Sequence, residues 1–302
     1  MTGSIEIVEV APRDGLQNEE VVLSTSDKLK LIERAIEAGA KRIEATSFVN
    51  PARIPQMADA EAVAAALPRE RGVTFVGLVL NKRGAIRAVD AGMDELGAVA
   101  VASDGLGRRN QGQSSAESVA VAGEIVEFAH AQGRAAQITI AAAFGCPFEG
   151  NVAPGRVIAI ARQVAESKPR EVALADTIGV AAPGQVGKLV RAVREAIAPI
   201  PLRVHFHNTR NTGLANVWAA VMAGAQTVDA AVGGIGGCPF SPGAAGNVAT
   251  EDVVYLLERS GIGTSMSLDQ LIETAHWLGD VVGHRTPGMV ARAASFPPVD
   301  SV

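Results

Sequence analysis

Short apolar runs rich in β-branched residues alternate along the chain with segments in which apolar side chains recur every three to four positions. Eight such runs stand at about 4–10, 41–46, 73–80, 96–102, 136–143, 172–175, 202–207 and 226–232. Their starts lie about 20 to 40 residues apart, the size of one strand-helix unit. Between them, Leu29, Ile32 and Ile36 precede Gly39, Ile125 and Phe128 precede Gly133, and Leu214, Val217 and Val221 precede Gly224. Val186, Leu189, Val193 and Ile197 form a further stripe. Such stripes are the buried faces of helices, and a glycine after the last apolar position suits a left-handed cap. Strands that alternate with helices pair in parallel. Eight units without a break in composition predict an α/β fold, a (β/α)8 TIM barrel over about 4–260, rather than two doubly wound domains. Leu268, Leu271, Ile272, Ala275 and Leu278 predict one more helix, so that a short helical extension over about 262–302 completes a single catalytic domain of residues 1–302. Its Pro- and Ala-containing end reads as a mobile tail.

The composition narrows the classes of function. With 48% hydrophobic and 20% charged residues the 302-residue chain has the apolar content of a packed core, which excludes a disordered segment. No apolar stretch reaches about 18 residues, so no membrane partner is expected. The formal charge of −5 is well mixed, without a cluster of Lys and Arg, which argues against nucleic acid. Two cysteines, Cys146 and Cys238, are too few for a disulfide scaffold, and the start of the chain lacks a basic and apolar signal region. A cytoplasmic setting is the expectation.

In a barrel of this kind the reactive groups gather where the strands end. Arg13, Asp14 and Gln17 follow the first strand, Glu44 lies in the second ahead of Thr46 and Ser47, and Asn81 ends the third. Ser103 follows the fourth, Cys146 the fifth, Asp176 and Thr177 the sixth. The seventh carries His205 and His207, and a glycine-rich loop with Cys238 and Asn247 follows the eighth. Two histidines separated by one residue in a strand leave the same face and form one edge of a metal site. Asp14 and Asn247 would add oxygens, a donor set that suits Mg²⁺ or Mn²⁺ and also admits Zn²⁺. Four glycines among residues 233–237 give backbone freedom next to Cys238, which is either a reactive thiol or a small buried hydrophobe. Cys146 reads as part of the rim structure, and His130, His276 and His284 as surface or packing residues. Glu9 points either into the barrel or partly outward. Neither GxGxxG after the first strand nor GxxxxGK[ST] is present, which argues against nucleotide hydride transfer.

Six motifs in order carry a family likeness: Val8 to Glu19 (VEVAPRDGLQNE), Glu44 to Val49 (EATSFV), Pro55 to Asp59 (PQMAD), Gly145 to Gly150 (GCPFEG), Ala175 to Gly179 (ADTIG), and Gly236 to Phe240 with Gly246 to Asp252 (GGCPF and GNVATED). Together they resemble the hydroxymethylglutaryl-CoA lyases, within the divalent-metal barrel lyases and Claisen-type synthases. The resemblance implies a metal held by Asp14, His205, His207 and Asn247, with Arg13 at the reacting carbonyl and Cys238 on a mobile loop. It implies retro-Claisen cleavage of a 3-hydroxy-3-methylglutaryl-CoA-like thioester to acetyl-CoA and a 3-keto acid, acetoacetate. In that reaction Arg13 stabilises the enolate, His205 is the first candidate base and Asp176 the second, and Cys238 protonates the enolate or helps exclude water. Gln17, Glu44, Ser47, Asn110, Thr177 and Arg210 are the candidate contacts to the acyl-CoA, and by analogy a homo-oligomer, dimer or higher, is expected. The departure lies in the seventh strand, where the family usually reads His-x-His-Asp-Thr-Tyr-Gly-Gln and this chain reads HFHNTRNT over His205 to Thr212. It exchanges an acid for Asn208 near the metal and places Arg210 in the expected substrate cavity. Ala141 and Ala142 also stand where the family tends to place Ser and Cys. The cleavage chemistry is therefore expected, while the acyl group is open to a different 3-hydroxy-3-substituted CoA ester. A Claisen-type synthase fits less well, because only residues 262–302 follow the barrel and such enzymes carry a larger C-terminal domain. A non-catalytic barrel that binds a CoA ester is the remaining alternative.

Overall fold

The computed structural model describes residues 3–237, 246–294 and 296. Eight parallel strands close into a barrel in sequence order: β1 (Glu6–Glu9), β2 (Arg42–Ser47), β3 (Thr74–Leu78), β4 (Glu95–Val101), β5 (Ala135–Ala141), β6 (Val172–Asp176), β7 (Leu202–Phe206) and β8 (Thr227–Ala230). β8 pairs with β1, in a register that sets Val8 opposite Asp229, and so closes the barrel between its first and last strands. Strands covered on both faces read as continuous apolar runs, and every residue of β6 and β7 is buried. Ten α-helices lie among the described residues: α1 (Thr25–Glu37), α2 (Ala60–Ala65), α3 (Lys82–Asp90), α4 (Asp104–Asn110), α5 (Ser115–Ala131), α6 (Pro154–Ala165), α7 (Pro183–Ile197), α8 (Gly213–Met222), α9 (Thr250–Arg259) and α10 (Leu268–Val282). No helix among these residues is long and apolar enough to cross a membrane.

Local chemistry sets the boundaries. The Ser24 hydroxyl accepts the Asp27 N–H at the start of α1, the usual N-cap device. Two residues beyond its end Gly39 adopts φ 103°, where a Cβ would also lie 2.4 Å from the Ser265 carbonyl oxygen. That close approach seats α10, the predicted extra helix: Ser267 donates its backbone N–H to Ala38 O at 2.8 Å. The short helices α2 and α4 are not signalled by apolar periodicity. Most of the predicted tail, Ser295 and residues 297–302, lies outside the described residues.

The inside of the barrel is not uniformly apolar. Arg42 and Arg203, each 1% exposed, lie fully within it. Arg42 pairs with Glu95 and Glu171, and Arg203 with Glu171 (3.3 Å) and Asp229 (2.7 Å). Buried charges are tolerated when each has its partner in place, and breaking one such pair costs about 3 to 5 kcal/mol.

Two further buried acids fasten the loops on the catalytic rim. Glu9, left open by the sequence, is fully buried and accepts the N–H groups of Ala11 (2.8 Å) and Val232 (3.0 Å) and the Thr250 hydroxyl (2.8 Å). It thereby ties the end of β1 to the segment after β8 and to α9. Glu251, also fully buried, accepts the Gly233 N–H at 3.0 Å. Burial pushes Glu9 up to about 7 against the pull of those hydrogen bonds. Burial pushes Glu251 up to about 8, with the Gly233 bond opposing and the charges of Asp252 and Glu9 adding. Acids whose folded values exceed the ordinary 4.5 stabilise the fold fully below that pH and lose this contribution as pH rises through about 7 and about 8. The urea midpoint is expected to fall between about pH 5 and about pH 8, and Glu251→Gln should flatten the decline. Equal slopes in the two proteins would contradict this reading of Glu251.

Candidate active site and metal centre

After β1 the backbone closes on itself: the N–H groups of Arg13, Asp14 and Gly15 all donate to Val10 O, at 3.2, 2.8 and 3.2 Å. This tight turn over Ala11–Gly15 carries Arg13 and Asp14 over the barrel mouth. A Cβ on Gly15 would meet the Ile235 side chain at 2.7 Å, so the turn packs closely against the segment after β8 and a larger residue there would have to displace Ile235. Arg13 donates Nη1 to Asp14 Oδ1 at 2.7 Å and Nε to Glu44. The guanidinium is fixed by two carboxylates from neighbouring strands.

His205 and the adjoining His207 leave the inward face of β7 with ring centroids 5.1 Å apart. An antiparallel bridge between His207 and Asn247 brings the amide beside the imidazoles, and Asn247 Nδ2 donates to Asp14 Oδ2 at 2.8 Å and to Ile235 O at 3.1 Å. Asp14 Oδ2 lies 3.8 Å from His205 Nε2 and 3.6 Å from His207 Nε2, and one donor atom from each of the three residues lies within 4.8 Å of the others. These separations are too long for hydrogen bonds but suit ligands that each stand about 2 Å from a common ion. Both ring nitrogens of His207 and Oδ1 of Asn247 are buried with no hydrogen-bond partner, which is costly unless they bind something. Two imidazoles with carboxylate and amide oxygens therefore fit a divalent cation.

Charge is focused on this point. Burial works to raise the Asp14 carboxyl, but the Arg13 charge and the two imidazoles outweigh it and hold Asp14 well below the usual carboxylate range. Burial disfavours the His205 imidazolium, yet the hydrogen bond to Asp229 and the charges of Asp14 and Asp229 leave it above its ordinary value. Asp229 is the site residue that sequence reasoning missed. Its Oδ2 lies 3.2 Å from His205 Nδ1, as the β7–β8 register, which sets the two residues opposite each other, requires. The available signal was a lone carboxylate inside an otherwise apolar strand.

A cavity of about 900 Å³ opens above these groups. Arg13, Asp14, His205 and His207 line it together with three of the expected contacts, Gln17, Asn110 and Thr177. Ala141 and Ala175, the latter the β6 neighbour of His205, line it with small side chains.

Other expected site residues are placed away from the cavity wall. Arg210 is exposed and donates Nη1 to the carbonyls of Ile178 (3.0 Å) and Gly179 (2.9 Å), so its charge braces the loop after β6 outside the cavity. Asn208 Oδ1 accepts the Gly213 N–H at 3.0 Å, which turns it to the start of α8. Asp176 is absent from the cavity wall, and its oxygens accept the N–H groups of Val180 and Ala181, both at 2.9 Å. These bonds anchor the loop after β6; burial raises the Asp176 carboxyl, against those two bonds and the charges of His207 and His205. His205, the first candidate base, has Nδ1 3.2 Å from Asp229 and Nε2 facing Asp14 across 3.8 Å, an arrangement that also suits a metal ligand. Ser47 is buried off the cavity, and Glu44 reaches the site through Arg13. Cys238 lies outside the described residues.

Comparison with known proteins agrees with the geometry. The sequence model of the HMGL-like family matches residues 4–278. The chain is 43% identical to the (R)-citramalyl-CoA lyase of Chloroflexus aurantiacus over 98% of its own length and 96% of that protein. It is 38% identical to a hydroxymethylglutaryl-CoA lyase of Bacillus subtilis, over 94% and 95% of the two chains. Among solved structures, an HMG-CoA lyase from Acinetobacter baumannii in complex with coenzyme A and 3-methylmalate superposes with a TM-score of 0.94 at 41% identity, covering 100% of both chains.

Proposed function

The chain belongs to the HMGL-like family and is a carbon-carbon lyase of the hydroxymethylglutaryl-CoA lyase type; from that premise we propose that it cleaves 3-hydroxy-3-methylglutaryl-CoA to acetyl-CoA and acetoacetate. The observation that supports this most is the Arg13 guanidinium held next to Asp14, His205, His207 and Asn247 at the floor of an open cavity. Breaking C2–C3 passes the C3 hydroxyl proton to a base and the bonding electron pair to the departing thioester enolate, which takes up a proton at C2 to become acetyl-CoA. When bound at the four residues, Mg²⁺ or Mn²⁺ supplies Lewis acidity toward the C3 hydroxyl and the distal carboxylate. Arg13 donates to the oxygen on which the enolate charge develops, and the clamp of Glu44 and Asp14 presents that donor already oriented. Gln17, Asn110 and Thr177 line the cavity in which the acyl chain is oriented.

A second reading, the related ester citramalyl-CoA, is favoured by the 43% identical relative named for that activity. Cleavage there yields acetyl-CoA and a 2-oxo acid through the same bond-breaking step. Both thioesters, and homologues with longer 3-alkyl groups, should be offered to the metal-loaded protein while acetyl-CoA release is followed. Hydroxymethylglutaryl-CoA is expected to turn over fastest. Preference for citramalyl-CoA would select the second reading, and no release from any ester would contradict both.

A further inference from the structure

We propose that Arg203, at the inner end of β7, is a positioning residue for the cation site: it holds Asp229, and Asp229 holds the His205 ring so that Nε2 faces Asp14. The proposal rests on the reading of His205 as a metal ligand. Arg203 precedes His205 by two positions on one strand, so both side chains enter the barrel on the same face. Its Nη1 donates to both oxygens of Asp229, at 2.7 and 2.9 Å, and its Nη2 to the Thr139 hydroxyl at 3.0 Å. Two of its nitrogens are thus committed to hydrogen bonds, while Nε lies 3.3 Å from Glu171 without one. With Nη2 held by Thr139, Nη1 is fixed in place, and it engages both Asp229 oxygens, which limits how far that carboxylate can turn.

The consequence reaches His205. Asp229 Oδ2 lies 3.2 Å from Nδ1, and Nδ1 and Nε2 sit across one rigid ring. Whatever fixes Asp229 therefore fixes the direction in which Nε2 points. Partners of this indirect kind commonly alter metal affinity by about 10- to 100-fold when removed. Arg203 is absent from the cavity wall and is 1% exposed, so it has no route to substrate. The competing view is that Arg203 merely neutralises buried carboxylates. Glu171 separates the two views, because it pairs with Nε of Arg203 and with Arg42, on the side of the guanidinium away from Asp229.

The test is the Mn²⁺ dissociation constant, read by electron paramagnetic resonance on the full chain without substrate. Arg203→Met is expected to weaken Mn²⁺ binding by about 10- to 100-fold, with Arg203→Lys between it and the parent. Glu171→Gln is expected to stay within a few-fold of the parent. If Arg203→Met does not fold, Asp229→Asn takes its place, since it keeps the shape and loses the charge, and it should weaken binding similarly. Unchanged affinity in the folded variants overturns the proposal, as does equal weakening by Glu171→Gln. A parent protein that binds no Mn²⁺ overturns the metal reading itself, which distinguishes the two failures.

Discussion

Replacement of Arg13 by methionine is expected to lower kcat by about 10²- to 10³-fold while the protein still takes up one equivalent of Mn²⁺ at saturation. The reason is geometric. Arg13 makes its contacts to Glu44 and to Asp14 Oδ1, whereas Asp14 Oδ2 is the oxygen that faces the imidazoles. Loss of the guanidinium therefore removes the donor to the developing enolate and spares the set of cation ligands. Methionine fills a similar volume, so the cavity wall is kept. KM for the thioester should change far less than kcat, because the interaction strengthens only as charge develops. Unaltered turnover in a metal-replete Arg13→Met protein would remove Arg13 from the reaction.

His207→Ala should have a comparable effect on turnover by a different route. Both nitrogens of His207 are buried and lack hydrogen-bond partners, so the imidazole is held there at a cost that a bound cation would offset. Alanine removes one ligand but no hydrogen bond. Metal-free parent and metal-free His207→Ala are expected to unfold within a few degrees of each other, whereas the rise in Tm that Mn²⁺ gives the parent should vanish in the variant. Chelation of the parent should abolish cleavage, and added Mg²⁺ or Mn²⁺ should restore it. Full activity after exhaustive chelation would contradict this account of the site.

The frame of the fold could be read without coordinates for a physical reason. Strands covered on both faces present unbroken apolar runs, such as Val172 to Ala175, and each lies one helix away from the next. His205 and His207 were recognisable because their geometry is local to one strand, and Asp14 because closure places β1 against β8. What escaped was set by long-range pairing. Arg42 meets Glu95 across 53 positions, and Asp229 belongs to the site only because the β7–β8 register sets it opposite His205. The partners of Arg210 and Asp176 escaped for a related reason: they are backbone carbonyls and N–H groups of the loop after β6, whose path no motif spacing encodes.

The central claim is that one divalent ion sits among side chains of β1, β7 and the segment after β8. Crystals grown with Mn²⁺ and measured at the manganese absorption edge test it most directly. The account predicts a single strong anomalous peak within about 2.3 Å of Asp14 Oδ2, the Nε2 atoms of His205 and His207, and Asn247 Oδ1. A map without a peak there, or with its only strong peak elsewhere on the chain, would contradict it.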